Sequence, residues 1–167
     1  RPTNLFFYGG AIFYIASHTD DLVMITVDAS AITSQVKVAD ITTGWFDVGI
    51  VDGQNKLVPT AVFAVTNTGT ETLAGLQVYA VFRFIGENEE LGSGLVALRG
   101  ADALAPNATS KPITVRANWG FSGLQPRAQM LMHSQFKDAH AEIFAKMGAK
   151  PFVRIGEAKI ARQLLTK

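Results

Sequence analysis

The sequence predicts an all-β fold, an antiparallel β-sandwich of roughly seven to nine strands that follows an apolar N-terminal segment. Runs rich in Val, Ile and Thr alternate between apolar and polar residues, as strands with one buried face do. Turn-forming residues recur about every eight to twelve positions. The 167 residues suit one domain, and only 17% of them are charged, against about 25% in an average soluble domain. We assign residues 1–20 to the apolar segment and residues 21–167 to the sandwich.

The clearest strand is LQVYAVFRFI, in which Leu76, Val78 and Phe82 face one way and Gln77 and Tyr79 the other. This period of two, with one more apolar face, predicts a half-buried antiparallel strand. Asp-Gly in VDGQNKL predicts a hairpin turn, and the polar, Gly-rich GENEELGSG predicts a second one. Further extended runs lie at 21–32, 34–51, 56–67, 90–98 and 110–117.

The stretch HSQFKDAHAEIFAKMG fits two structures. Its apolar residues share one face of a helix, with Gly148 as the stop. Alternatively, residues 141–146 form a strand that turns at MGAKP and pairs with PFVRIG. We favour the strand, because two extended runs around a Gly/Pro turn make a hairpin. A short helix over about 133–140 is compatible with it.

The N-terminal stretch RPTNLFFYGGAIFYIASHTDD has no charge between Leu5 and Ala16, and three interpretations fit it. The favoured one is a transmembrane anchor, with Arg1 on the cytoplasmic side and Asp20 outside. Its apolar length falls short of the roughly 20 residues that a span needs. The second is a hairpin around Gly-Gly, and the third is the remnant of a signal peptide.

An anchor would contact the lipid bilayer and the helices of partner subunits through aromatic residues, and its glycines would allow another helix to approach closely. The residues predicted for this contact are Phe6, Phe7, Gly9, Gly10, Phe13 and Tyr14.

Two segments, 58–94 and 103–115, resemble FxLYD-type and related bacterial immunoglobulin-like β-sandwich domains. The shared pattern is a strand ending in V-x-N-x-G, an aromatic-rich strand, a polar turn and a Leu-x-Pro-x-x-[ST] turn. The matching residues here are Val65, Asn67, Gly69, Leu76 to Phe84, Leu104, Pro106, Thr109 and Ser110. The resemblance implies an immunoglobulin-like fold and a tethered envelope protein on the periplasmic side. The chain departs from the pattern at Asn107, where glycine is common, and in its long extension after Asn118.

Composition and motifs argue against several classes of function. The net charge of +1 gives no electrostatic basis for binding nucleic acid. The chain has no cysteine, which excludes disulfides and thiolate chemistry. His133 and His140 are seven residues apart, outside the spacing of a helical metal pair. GxSxG, Walker and GxGxxG patterns are absent. We therefore predict no enzymatic activity, no metal and no cofactor.

Aromatic and basic residues near glycines are the remaining candidates for a binding surface. Exposed aromatics beside arginines are common in interaction hot spots, whereas the same residues could equally cap the sandwich core. The candidates are Trp45, Trp119, Phe121 and Arg127.

These observations predict a structural role. The favoured function is a membrane-tethered accessory subunit that stabilises a multi-protein membrane complex, such as a photosynthetic or respiratory assembly. Its anchor would cross the cell membrane once, and its sandwich would lie on the periplasmic side. The alternative is a periplasmic binding module for a small ligand or carbohydrate, with a concave aromatic surface at Trp45, Trp119 and Phe121.

Overall fold

The computed structural model describes residues 5–8, 11–14 and 30–165, with side chains from residue 32 onward. Strand β1 (Leu5–Tyr8) pairs antiparallel with β2 (Ala11–Tyr14). This pairing agrees with the second interpretation of the N-terminal stretch, a hairpin around Gly-Gly. Within the described ranges, no helix is long and apolar enough to cross a membrane.

The sandwich begins at a short helix, α1 (Ser30–Gln35). The extended runs expected at 21–32 and 34–51 are therefore wrong at residues 30–32 and 34–35, where Ala31 and Gln35 are good helix formers. The elements that follow are β3 (Val36–Val51), β4 (Gln54–Asn67), β5 (Leu76–Phe84), β6 (Glu90–Leu98), β7 (Ile113–Arg116), β8 (Phe121–Gly123), α2 (Arg127–Met130), β9 (Ala139–Met147), β10 (Val153–Lys159) and β11 (Leu164–Leu165).

Two sheets face each other, which confirms the predicted antiparallel sandwich. In the first sheet the order is β11-β3-β4-β7, and β8 also pairs with β4. In the second sheet the order is β10-β9-β5-β6. All pairs are antiparallel except the short contact between β11 and β3. The predicted turn at Asp52 and Gly53 is confirmed, since both residues have positive φ (50° and 76°), as a two-residue hairpin turn requires.

The core lies between the sheets. The predicted inner face of β5 is confirmed, because Leu76, Val78, Ala80 and Phe82 are buried. The predicted strand at 141–146 is also confirmed, since β9 pairs with β10 and with β5. The short helix expected over about 133–140 lies earlier, at α2. Pro126 is its N-cap residue, with a φ of −53° and a ψ of 141°, the non-helical conformation usual at that position.

One buried side chain connects the end of β4 to two loops. The Asn67 amide donates to the carbonyls of Leu104 (2.9 Å) and Glu71 (2.7 Å), and its oxygen accepts the Gly69 N–H (2.9 Å). Its backbone carbonyl accepts the Asn107 N–H (2.8 Å). Asn107 has a φ of 63°, a conformation that asparagine tolerates better than most residues.

The chain crosses from the second sheet back to the first after β10. The Thr43 hydroxyl donates to the Lys159 carbonyl (2.9 Å) and accepts the Ala161 N–H (3.0 Å). The Gln163 side chain donates to the Thr43 carbonyl (2.7 Å). These bonds hold β11 against β3.

An ion-pair cluster supports the same crossing. Asp138 accepts from the Arg162 guanidinium (2.7 Å) and lies 3.0 Å from the Lys159 ammonium. Hydrogen bonds from Arg162 and then Lys159 lower the pKa of Asp138 below its ordinary value of 3.8, against the opposing effect of burial. The folded chain therefore favours the ionised carboxylate.

We expect Asn67→Ala to lower the free energy of unfolding by about 2–4 kcal/mol, because buried carbonyls and an N–H lose their partner. Urea unfolding followed by circular dichroism measures the change. Asn118→Ala, at an exposed position, is the control and should stay within about 0.5 kcal/mol. An equal loss in both variants would contradict a special role for Asn67.

Asp138→Asn should reduce the acid sensitivity of the fold. A carboxyl with a lowered folded pKa stabilises the protein above its unfolded pKa, and this contribution disappears as the pH falls through the folded value. The variant should be less stable than the wild type at pH 7, by about 1 kcal/mol or less for such partly exposed pairs. The difference should vanish well below pH 3.8. Urea titrations at both pH values test this, and a pH-independent difference would contradict it.

Candidate interaction surface

The β3–β4 hairpin extends beyond the second sheet at its turn. Leu57, further down β4, faces the core and is fully buried. Asn55 lies on the same face two residues away, and its partner Ile50 is 72% exposed. Residues at this end thus occupy a core-type face that no second sheet covers. Val51, the next residue of the strand, lies on the opposite face, as does Lys56, beside which Trp119 lies. We call the exposed apolar residues at this end of the hairpin, on both faces, the tip surface: Val48, Ile50, Val51, Trp119 and Leu124.

Strand β8 completes the tip surface on the other side of β4. Gly123 pairs with Asn55, and the Asn55 side chain donates to the Gln125 carbonyl (2.9 Å). The intervening residue Leu124 is 77% exposed. Ile50, Asn55 and Gly123 therefore form one row of paired residues across three strands.

Gly120 sets the position of Trp119. A Cβ atom at Gly120 would lie 2.0 Å from the Leu57 carbonyl oxygen and 2.9 Å from Val58 Cα. Only glycine allows the chain to lie this close to β4. Trp119 is consequently held at the surface, 66% exposed, with the Lys56 ammonium 5.0 Å from its ring centroid, within cation–π range.

The structure corrects the expectation of an exposed Trp45. Its side chain is fully buried, and its ring packs edge-on against Phe136 at 4.6 Å. Phe121 is half-buried and packs on the same ring at 5.1 Å. Both residues therefore follow the core alternative, and of Trp45, Phe121 and Trp119 only Trp119 is largely exposed.

Arg127 connects α2 to β3 by an ion pair with Asp47. Partial burial raises the pKa of Asp47, but hydrogen bonds from Arg127 and the Gly49 N–H outweigh it and lower the pKa overall. Arg127 is thus engaged within the fold, beside the tip surface rather than as a free hot-spot cation.

The N-terminal candidates are only partly described. Phe6 lies opposite Phe13 in the β1–β2 hairpin, and Phe7 and Tyr14 belong to the same two strands. Gly9 and Gly10 lie outside the described residues.

Four members of the tip surface were not predicted from the sequence: Val48, Ile50, Val51 and Leu124. A signal was present in GIVDGQN, where apolar residues directly precede an Asp-Gly turn. Residues next to a hairpin turn are ordinarily polar. The apolar Ile50 and Val51 directly before the turn could therefore have indicated an exposed apolar surface.

Within the described residues, no group of three or more His, Asp or Glu side chains is arranged to hold a metal ion. His133 lies near Phe121, with ring centroids 6.3 Å apart. His140 lies on β9, paired with Arg83 and Lys159.

Neither a protein-family model nor a curated protein matches the sequence. Among solved structures, the X-ray structure of Northeast Structural Genomics Consortium target SoR45 is similar, at 10% identity and a TM-score of 0.45, covering 78% of this chain and 89% of that chain. The solution structure of AT1g01470 from Arabidopsis thaliana is similar at 13% identity and a TM-score of 0.44, with coverage of 91% and 92%. At these values the likenesses do not bear on activity or partners.

We expect Gly120→Ala to destabilise the protein by about 1–3 kcal/mol, the typical cost of forcing extra volume into a packed site. The tryptophan emission of the protein, to which Trp45 and Trp119 contribute, should also shift, because Trp119 must move away from β4 with its segment. Ser122→Ala, on the neighbouring exposed position, should leave both properties unchanged. Wild-type stability in Gly120→Ala would show that the close contact with β4 is unimportant.

Proposed function

We propose that the chain is a non-enzymatic accessory subunit of a multi-protein membrane complex and that it contacts its partners through the tip surface. The observation that carries this proposal is the group of exposed apolar residues at the end of the hairpin. Grouped apolar side chains that include a tryptophan are typical of protein–protein contacts. The low charge of the chain, 17%, is consistent with a protein that covers part of itself with partners.

The geometry of β3 supports this role. The strand is 16 residues long, which corresponds to about 50 Å at the usual rise per residue. Helix α1 lies at one end of β3 and the tip surface at the other. The tip surface would therefore point away from the point where the N-terminal residues enter the sandwich, and could reach a second subunit.

We propose further that the N-terminal segment tethers the chain at the cell membrane, with the sandwich on the periplasmic side. The paired residues in β1 and β2 are LFFY and AIFY, without a charge. An isolated two-stranded hairpin is marginally stable in water, so lipid or partner subunits would provide its cover. An immunoglobulin-like topology of the sandwich belongs to the same proposal. Its support is the Asn67–Gly69 contact, formed by residues of the shared pattern.

The alternative of a small-ligand module depended on a concave aromatic surface. Trp45 is buried and Phe121 is half-buried, so no such surface forms with Trp119. The accessory-subunit role is therefore the better supported of the two.

The test is fractionation of cells that produce the full chain, followed by a carbonate wash of the membranes and native electrophoresis. We expect the wild type to remain in the membrane fraction and migrate in a large complex. Ile50→Asp combined with Trp119→Ala should reduce the fraction in the complex at least tenfold, since removing each hot-spot side chain typically costs about 2 kcal/mol.

The matched control is Ile41→Asp, a change of the same kind at an exposed position on β3 outside the tip surface. It should leave the complex intact. Release of the wild type as a free protein of 18.0 kDa would contradict the proposed function. An equal loss in the control would contradict the role of the tip surface.

A further inference from the structure

Strand β6 is the outer strand of the second sheet, and its outer side has no neighbouring strand among the described residues. The Gly75 N–H donates to the Leu98 carbonyl (3.2 Å), so the polar backbone groups of Leu98 face β5. Because these groups alternate in direction along a strand, those of Ser93, Leu95 and Ala97 face away from β5. No backbone bond within the described chain reaches them on that side.

The composition of β6 does not protect this edge. Residues 91–98 include no charge and no proline, and Leu95 is 56% exposed. Natural sheet edges usually carry charged residues or proline, or are covered by another segment, because an open edge can pair with another strand. Cover is present at Leu91, whose carbonyl accepts the N–H groups of Asn118 (3.1 Å) and Trp119 (2.8 Å). The stretch from Ser93 to Ala97 stays open.

A cleft opens beside this edge, between β6 and β7. The two strands touch at Gly94, where a Cβ atom would lie 2.7 Å from Val115 Cγ1. Towards the end of β6 they separate and leave a cavity of about 400 Å³. Its apolar lining includes Val96, Leu98, Leu104 and Ile113. Opposed residues on neighbouring strands share a face, so a residue paired with Val96 would direct its side chain into this cleft.

The charges at the two ends of β6 differ in sign. Glu89 and Glu90 lie at its start. Arg99 follows its end, is exposed, and forms no ion pair within the described part of the chain. On the cleft rim, the Lys111 ammonium lies 3.1 Å from Asp102, and the lysine side chain is 88% exposed. A segment with an acidic group at the Arg99 end and a basic group at the Glu90 end would complement both.

We propose that β6 binds an extended segment of a partner protein by strand addition, with an apolar side chain in the cleft beside Val96 and an acidic side chain near Arg99. This inference rests on the protein-binding role proposed above and names the kind of partner. A second copy of the chain fits less well. Antiparallel pairing centred on Leu95 would place Gly94 of that copy opposite Val96 and leave the cleft empty. Pairing centred on Ala97 would place Leu98 there but would join only residues 95–99, because the chain turns at Gly100.

The probe is the synthetic peptide acetyl-Glu-Val-Thr-Leu-Thr-Ala-Thr-Lys-amide, titrated into the full chain and followed by amide NMR. In the antiparallel register its leucine lies opposite Val96, its glutamate opposite Arg99, and its three threonines opposite Ala97, Leu95 and Ser93. Two matched peptides complete the set. One is N-methylated at the three threonines, whose N–H groups face β6, and the other at Val, Leu and Ala, whose N–H groups face away.

We expect the amide resonances of Ser93, Leu95 and Ala97 to move downfield and their hydrogen exchange to slow at least tenfold. Methylation at the threonines should weaken binding at least tenfold, and methylation at the other positions less than about threefold, because an added strand bonds through alternate residues. Replacing the peptide leucine by glycine should weaken binding about tenfold.

The protein variants separate backbone pairing from side-chain contact. Leu95→Pro removes an outward N–H and should weaken binding at least tenfold. Leu95→Ala keeps that N–H and should stay within about threefold. Protected amides at Gly94 and Val96 in both variants would show that the β5–β6 pairing is intact.

Equal binding by the two methylated peptides, or shifts confined to residues away from β6, would overturn the proposal. So would a dimer of the chain that dissociates in Leu95→Pro, since the occupant would then be a second copy. Peptide binding by a chain that is released from membranes would uphold the strand-addition site and remove the accessory-subunit role. Retention of the chain in a membrane complex without peptide binding would uphold the accessory-subunit role and overturn the strand-addition site.

Discussion

The architecture depends on the satisfaction of one buried amide. Asn67 ends β4, and its side chain supplies partners to the Leu104 and Glu71 carbonyls and to the Gly69 N–H. Two stretches of chain, the end of β4 with the turn that follows it and the loop around Leu104, therefore meet at one residue. The mutual backbone bonds of Leu73 and Leu104 lie beside it, and both leucines are buried. This arrangement fixes where β5 begins relative to β4, and so how the second sheet lies on the first.

The two ends of the sandwich consequently differ in chemistry. The end at Asn67 is closed by hydrogen-bonded turns, and its apolar surface lies in the cleft lined by Leu104 and Ile113. The opposite end carries the tip surface, because β3 and β4 continue past the second sheet. The open edge of β6 is a third region, where backbone groups rather than side chains are available. The two proposed contacts therefore use different kinds of interaction: apolar side chains at the tip surface and backbone hydrogen bonds at β6.

Local patterns were sufficient to predict local structure. The alternation in β5, the Asp-Gly turn and the Gly/Pro turn between β9 and β10 each lie within a few residues of sequence. Trp45 could not be placed this way, because β-bulges near Ala39 and Asp47 shift the register of β3, and each shift exchanges the faces of the strand. The tip surface and the β6 edge depend on relative sheet length and strand order, which no single stretch of sequence encodes.

The contact between β11 and β3 also bears on how the chain is made. Gln163 is 120 residues from Thr43, to which its side chain donates. During synthesis, the outer edge of β3 stays uncovered until Gln163 has left the ribosome. At about 5–20 residues per second this takes on the order of ten seconds. An incomplete chain thus presents the outer edge of β3 unpaired at Trp45 and Phe46 for that interval. Other incomplete copies, made on the same messenger RNA, are the nearest chains that could pair with this edge.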